Sequence, residues 1–280
     1  MVTMTKKTSL AEENDTSSWI PEKEARGGAR AVMANTTADR AIDVLLAFSE
    51  DTPAWSAAEL AAKFEMPRST MYRYLTSLRA CSLIISDEGN RYRLGPRVIQ
   101  LARIARMGSS AVQVALPYLR QISEAFGELT LLKERRGDEL ICIDRMEGTH
   151  RVAIASTTGS LLPWPTAPSA KIFFAYATET DRKRLLSMMT PIAYTAKTVT
   201  TKEGLLADAE AIRRRGYSCS DEEHDESVLG FAVPIFEDGV CRYTLSIAAP
   251  AFRWPKAKQT KLISALRQAA TEISSALSGN

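Results

Sequence analysis

Apolar residues recur at helical spacing from Ala38 through Ile42, Leu45 and Leu46, and Asp51-Thr52-Pro53 ends that run. Ser56 and Glu59 then form an S-x-x-E capping box, which predicts a short second helix reaching about Phe64. Pro67 suits the first turn of a third helix, with Met71, Leu75 and Leu78 as its buried stripe. The opposite face of that helix carries Arg68, Ser69, Thr70, Arg73 and either Tyr72 or Tyr74. Leu83-Ile84-Ile85 and Arg91-Tyr92-Arg93-Leu94 read as short strands around the turn-rich tip Asp87-Glu88-Gly89-Asn90. Three helices followed by a hairpin predict a winged helix-turn-helix over residues 36–95.

Pro96 opens a further helix with Val98, Leu101, Ile104 and Ala105 on one side, interrupted at Gly108, which makes 96–109 a linker helix. Residues 110–280 form a second domain. A helix carrying Val112, Leu119, Ile122 and Phe126 precedes strands near 129–135, 140–146 and 151–155 and helices near 168–177 and 181–189. A helix over about 201–215, closed by Gly216, leads to strands at 217–220, 230–236 and 241–248 and a last helix near 256–277. Strands outnumber what a parallel sheet alternates with helices, so the expected class is α+β with a mainly antiparallel sheet. Residues 1–35 mix Lys6, Lys7, Glu12, Glu13 and Asp15 with Gly27-Gly28 without apolar periodicity and are read as a flexible tail.

Composition sharpens this picture at one place. The 280 residues, 45% hydrophobic and 25% charged, suit about two globular domains, and the net charge of +3 (36 basic minus 33 acidic) excludes a histone-like polycation. Over residues 67–97, however, Arg68, Arg73, Arg79, Arg91, Arg93 and Arg97 face only Asp87 and Glu88, a local balance of +4. Arginine forks onto phosphate or onto the O6/N7 edge of guanine, so this patch fits reading as well as attraction. Arg68, Ser69, Thr70 and Arg73 are the candidates for the major groove, with Tyr72 and Tyr74 as candidates for phosphate or base contacts. Arg91 and Arg93 share one strand face and are candidates for wing contacts to phosphate or the minor groove.

Cys81, Cys142, Cys219 and Cys241 are scattered without a C-x-x-C pair, and His150 and His224 are the only histidines, so neither zinc nor a disulfide framework is expected. No cofactor is implied. With no long apolar run and no apolar signal core, the chain is expected to be soluble and cytoplasmic, away from membranes. G-x-S-x-G, G-x-x-x-x-G-K-[ST] and H-E-x-x-H are all missing, which weighs against an enzyme fused to the DNA reader. His224 lies in an acidic run, Asp221 to Glu226, read as a solvated loop. A protein-interaction domain without a small-molecule ligand stays open as a second alternative.

The motifs Asp39-Arg40-Ala41-Ile42, Ala58-Glu59-Leu60-Ala61, Pro67-Arg68-Ser69-Thr70-Met71-Tyr72-Arg73 and Tyr92-Arg93-Leu94-Gly95-Pro96 together resemble the IclR family of bacterial transcriptional regulators. Ile212-Arg213-Arg214-Arg215-Gly216-Tyr217, Asp221-Glu222-Glu223, Phe231-Ala232-Val233-Pro234-Ile235-Phe236 and Leu245-Ser246-Ile247 extend the resemblance to about 36–278. It implies a homodimeric or tetrameric repressor-type regulator of a catabolic operon, joined through its DNA-binding domains and linker helix, with a GAF-like effector domain. It also implies a small organic acid effector, and carried over by position the effector residues are Pro168, Ser169, Ala170, Ser220, Gly230, Ser246 and Ala248. Ala170, Gly230 and Ala248 stand where the family commonly has a glycine, a cysteine and a serine, and the loss of the thiol and the hydroxyl removes polar partners, makes room and favours an aromatic carboxylate. Trp164, Phe173 and Phe231 are candidates for stacking on its ring, Ser169 for a helix-start carboxylate contact, and Lys171 for a surface or interface charge.

Overall fold

The computed structural model of the chain describes residues 36–87, 89–150, 158–160, 164–189 and 192–279. The expected tail over 1–35 and the expected strand at 151–155 lie outside these residues.

The N-terminal part contains α1 (Thr37–Leu46), β1 (Ala54–Ser56), α2 (Ala57–Lys63), α3 (Arg68–Ala80), β2 (Ile84–Ser86) and β3 (Arg91–Leu94). Both helix starts have reciprocal capping boxes: Thr36 with Asp39, and the expected pair Ser56 with Glu59. Met71, Leu75 and Leu78 of α3 pack with Val44, Leu60, Ile84 and Tyr92 in one small core. In α1 the buried residue is Val44, whereas Ile42 and Leu46 face outward, so the apolar stripe read from the sequence is displaced around the helix. A third strand, β1, joins the expected hairpin in the order β1-β3-β2. Three residues are too short for an alternation to register, and the pairing of Trp55 with Tyr92 makes this strand a tertiary product.

The linker helix α4 (Pro96–Met107) buries none of its residues, and Ile99, Ile104 and Met107 are 74%, 63% and 62% exposed. Its last turn is nevertheless anchored: Arg106 Nη2 lies 2.7 Å from Oδ1 of the buried Asp144. The C-terminal part follows as α5 (Ser110–Phe126), β4 (Leu129–Arg136), β5 (Glu139–Met146), α6 (Pro168–Tyr176), α7 (Glu179–Met188) and α8 (Lys202–Arg215). Strands β6 (Ser218–Asp221), β7 (Val228–Glu237) and β8 (Val240–Pro250) and helix α9 (Lys256–Leu277) complete it. All pairings in the sheet β5-β4-β8-β7-β6 are antiparallel.

Strand periodicity divides the sheet's two faces. Leu229, Phe231, Val233 and Ile235 of β7 and Tyr243, Leu245, Ile247 and Ala249 of β8 pack with α5 and α9 residues in the largest core. The alternate residues, Gly230 and Ala232 on β7 and Thr244, Ser246 and Ala248 on β8, therefore look toward α6. Ala232 joins Ile172 and Phe174 of α6 and Leu205, Ala209 and Ile212 of α8 in a second core on that side.

Candidate DNA-reading and effector sites

The candidate DNA-reading surface follows from the phase of α3. Burial of Met71, Leu75 and Leu78 leaves Arg68, Ser69, Tyr72 and Arg73 exposed and Thr70 half-buried. Pro67 is the N-cap of α3 and makes no side-chain cap bond. In β3, Arg93 is exposed, but Arg91 is engaged: its Nη2 donates to the Ala54 carbonyl at 2.7 Å and its Nη1 to Glu59 Oε1 at 3.2 Å. The two arginines share a strand and differ in their contacts. Arg91 ties β3 to the cap of α2, and the carboxyl of Glu59 is held below its ordinary range, first by the Ser56 backbone bond and further by Arg91.

The effector residues expected from the resemblance converge on the sheet face covered by α6. Ser169 and Ala170, in the first turn of α6, are fully buried. Ser220 pairs with Gly230, Gly230 with Ala248, and Ser246 with Ala232, which brings all the strand members onto adjoining positions of one face. Pro168 sits directly over Gly230: a Cβ built on Gly230 would stand 2.6 Å from Pro168 Cγ. The space expected from the missing side chain at 230 is thus occupied by Pro168. The Pro168 carbonyl in turn accepts from Ser218 Oγ at 2.7 Å.

Sequence reading underestimated the polarity of this face. The hydroxyls of Ser169, Thr244 and Ser246 are buried and have no hydrogen-bond partner among the described residues. Lys133 of β4 pairs with Thr244 across the strand and is only 6% exposed. Burial lowers the Lys133 ammonium to about 8 from its usual 10.5. Neither Lys133 nor Thr244 was among the expected site residues. Lys133 lies in a strand whose first five positions are all buried, so alternation gave no signal, although a lysine inside such an apolar strand was the available clue.

Lys171 also departs from expectation, because it is a buried tie and not a surface charge. Its Nζ lies 2.8 Å from Asp208 Oδ2 and 2.5 Å from Glu223 Oε1, and donates to the Cys219 carbonyl at 3.0 Å. Burial raises the Glu223 carboxyl above its usual range, opposed by Lys171. The acidic run is consequently pinned, not simply solvated: Thr195 and Thr198 donate to the carbonyls of Glu222 and Glu223, and Thr166 Oγ1 lies 3.0 Å from His224 Nδ1. Phe231 packs toward Trp254 on the opposite side of the sheet, away from α6, while Phe173 is buried with Leu140, Ala167 and Ala170. Trp164 donates through Nε1 to the Asp138 carbonyl at 2.9 Å. All four cysteines are outside disulfides, and burial pushes Cys219 up to about 11 and Cys241 up to about 12, which keeps both protonated.

Two family descriptions match the chain: "Bacterial transcriptional regulator IclR C-terminal" over residues 108–275 and "IclR helix-turn-helix domain" over residues 37–88. The chain belongs to the IclR family. This IclR-family regulator is 29% identical over 255 residues to the HTH-type transcriptional regulator BhcR of Paracoccus denitrificans, covering 90% of this chain and 88% of that one. It is 26% identical over 268 residues to the transcriptional repressor IclR of Escherichia coli K12, covering 93% and 98%. Its fold is similar to the crystal structure of an IclR homologue from Microbacterium hydrocarbonoxydans complexed with 4-hydroxybenzoate, with a TM-score of 0.75, 25% identity and coverage of 88% of this chain and all of that one. The relatives are regulators, and the IclR-family chain described here is a transcriptional regulator with a helix-turn-helix DNA-binding part and an effector domain on an antiparallel sheet. Among the described residues, no helix is long and apolar enough to cross a membrane.

Proposed function

We propose that this regulator binds a double-stranded operator as a homodimer or a dimer of dimers in the cytoplasm, and that an aromatic carboxylate held beneath α6 changes its affinity for that operator. The observation that carries the reading is the trio of buried, unpartnered hydroxyls: Thr244 and Ser246 on the sheet face toward α6, and Ser169 in the first turn of α6 itself. Buried polar groups normally find partners, and a carboxylate or phenol can supply them. The step from Thr244 to Ser246 spans about 7 Å along the strand, comparable to a six-membered ring with its carboxylate. The 4-hydroxybenzoate complex of the Microbacterium homologue is the precedent for an aromatic acid, and the Escherichia coli repressor is the precedent for repression.

Arg68, Ser69, Thr70, Tyr72 and Arg73 read the operator from α3, and Arg93 adds a wing contact. The exposed apolar residues of α4, Ile99, Leu101, Ile104 and Met107, are the surface over which two chains associate. In a dimer, that helix fixes the spacing of two recognition helices, which match successive major-groove turns about 34 Å apart. The Arg106 to Asp144 ion pair joins α4 to β5, next to the β4 strand that carries Lys133. An effector that binds one arrangement of this joint better than the other changes DNA affinity by the difference in binding free energy. Calorimetry with hydroxybenzoates beside glyoxylate and pyruvate tests the ligand class: saturable binding of the aromatic acids at one site per chain is expected, and binding of the short acids alone defeats it.

A further inference from the structure

Most buried charges in the effector domain have opposite charges beside them. Lys171 has Asp208 and Glu223, Glu128 has Arg253 at 2.9 Å, and Asp144 has Arg106. Arg182 and Arg213 donate to backbone carbonyls of residues 174–177 at the end of α6. Lys133 stands apart, because no acid or carbonyl is bonded to its ammonium among the described residues. Its cross-strand neighbours are Thr244, whose hydroxyl is buried and unpartnered, and Cys142, a fully buried thiol that packs with Leu129 and Leu131. Pairing of Leu131 with Ser246 sets Lys133 on the same face as Ser246 and two positions along from it.

Resting on the reading that this face holds an organic acid, we propose that Lys133 is the group that neutralises the acid's charge and so restricts the effector to anions. A buried ammonium without a counterion is costly, whereas the same ammonium meeting a carboxylate in a low-dielectric pocket makes a short, charge-assisted hydrogen bond. An apolar side chain of similar length would pack better in the empty protein, so the lysine gains only when an anion enters. The lowered value of about 8 still leaves the group mainly protonated at neutral pH, ready to act as the cation. Thr244 and Ser246 then supply hydroxyls to the same ligand, with Thr244 beside the carboxylate end.

The test uses the full chain and the variants Lys133→Met and Lys133→Gln in thermal-shift and calorimetric titrations. The probes are 4-hydroxybenzoate, benzoate, pyruvate and glyoxylate, each beside its methyl ester, with sodium chloride at matched ionic strength as the control. An acid that stabilises the wild-type chain should bind the two variants about tenfold or more weaker, while its neutral ester should bind all three chains alike. The unliganded Met variant should melt no lower than wild type. Equal weakening of acid and ester, or unchanged binding of the acid, overturns the assignment and leaves the organic-acid reading standing. If no acid exceeds sodium chloride in its effect on the wild-type chain, the organic-acid reading fails and the role of Lys133 falls with it.

Discussion

Pro168 rests on the bare α-carbon of Gly230, so that a Cβ at 230 would stand 2.6 Å from the proline ring. The contact locks the first turn of α6 against β7, and the Ser218 bond to the Pro168 carbonyl holds the same turn against β6. A rigid ring and a strand backbone have little room to yield. Gly230→Ala should therefore cost about 1–3 kcal/mol of stability through overpacking. Urea denaturation followed by circular dichroism measures it; an unchanged midpoint would mean that Pro168 moves freely.

The winged hairpin predicts a division between two arginines two positions apart in a single strand, Arg91 and Arg93. Arg93 is exposed, so Arg93→Ala should lower the salt dependence of DNA binding by about one phosphate contact and leave the melting temperature unchanged. Arg91 bonds to Ala54 and Glu59, so Arg91→Ala should loosen β1 and the start of α2, visible as faster amide exchange at Ser56 and Glu59. Arg73→Ala should weaken specific binding by about 1–3 kcal/mol if the residue reads a base, with relaxed preference at one operator position. A uniform loss across all sequences would assign Arg73 to phosphate.

A pH series isolates Lys133. Its folded-state value is lowered to about 8 against an ordinary 10.5, so the folded chain sheds this proton before the unfolded chain does. The penalty for burying the ammonium is complete below pH 8 and is relieved as pH rises from about 8 toward about 10.5. The stability margin of Lys133→Met over wild type should thus be largest near neutral pH and shrink across that window. A margin independent of pH would show that the amine is not desolvated in the folded chain.

Much of this fold was legible because its elements carry local signals. The Ser56 and Glu59 capping box, the Met71, Leu75 and Leu78 stripe and Gly216 at the end of α8, with φ of +75°, each mark an element without tertiary help. What escaped depends on long-range pairing. The β1 strand exists because Trp55 meets Tyr92, and Lys171 is buried because Asp208 and Glu223 come from distant segments. The same holds at the sheet face under α6: family position points to Ser169 and Ser246 as candidates, but only strand register shows Lys133 beside Thr244. Gly230 carries the clearest lesson, since a missing side chain reads as space in one dimension and is filled by Pro168 in three.

Ligand-responsive operator binding is tested most simply by equilibrium binding of the full chain to a DNA fragment containing its own upstream region, at several salt concentrations, with and without the aromatic and short carboxylic acids. Salt-dependent, sequence-selective binding whose affinity shifts when an aromatic acid is present is expected. Salt-dependent binding with no sequence preference and no response to any acid would contradict it.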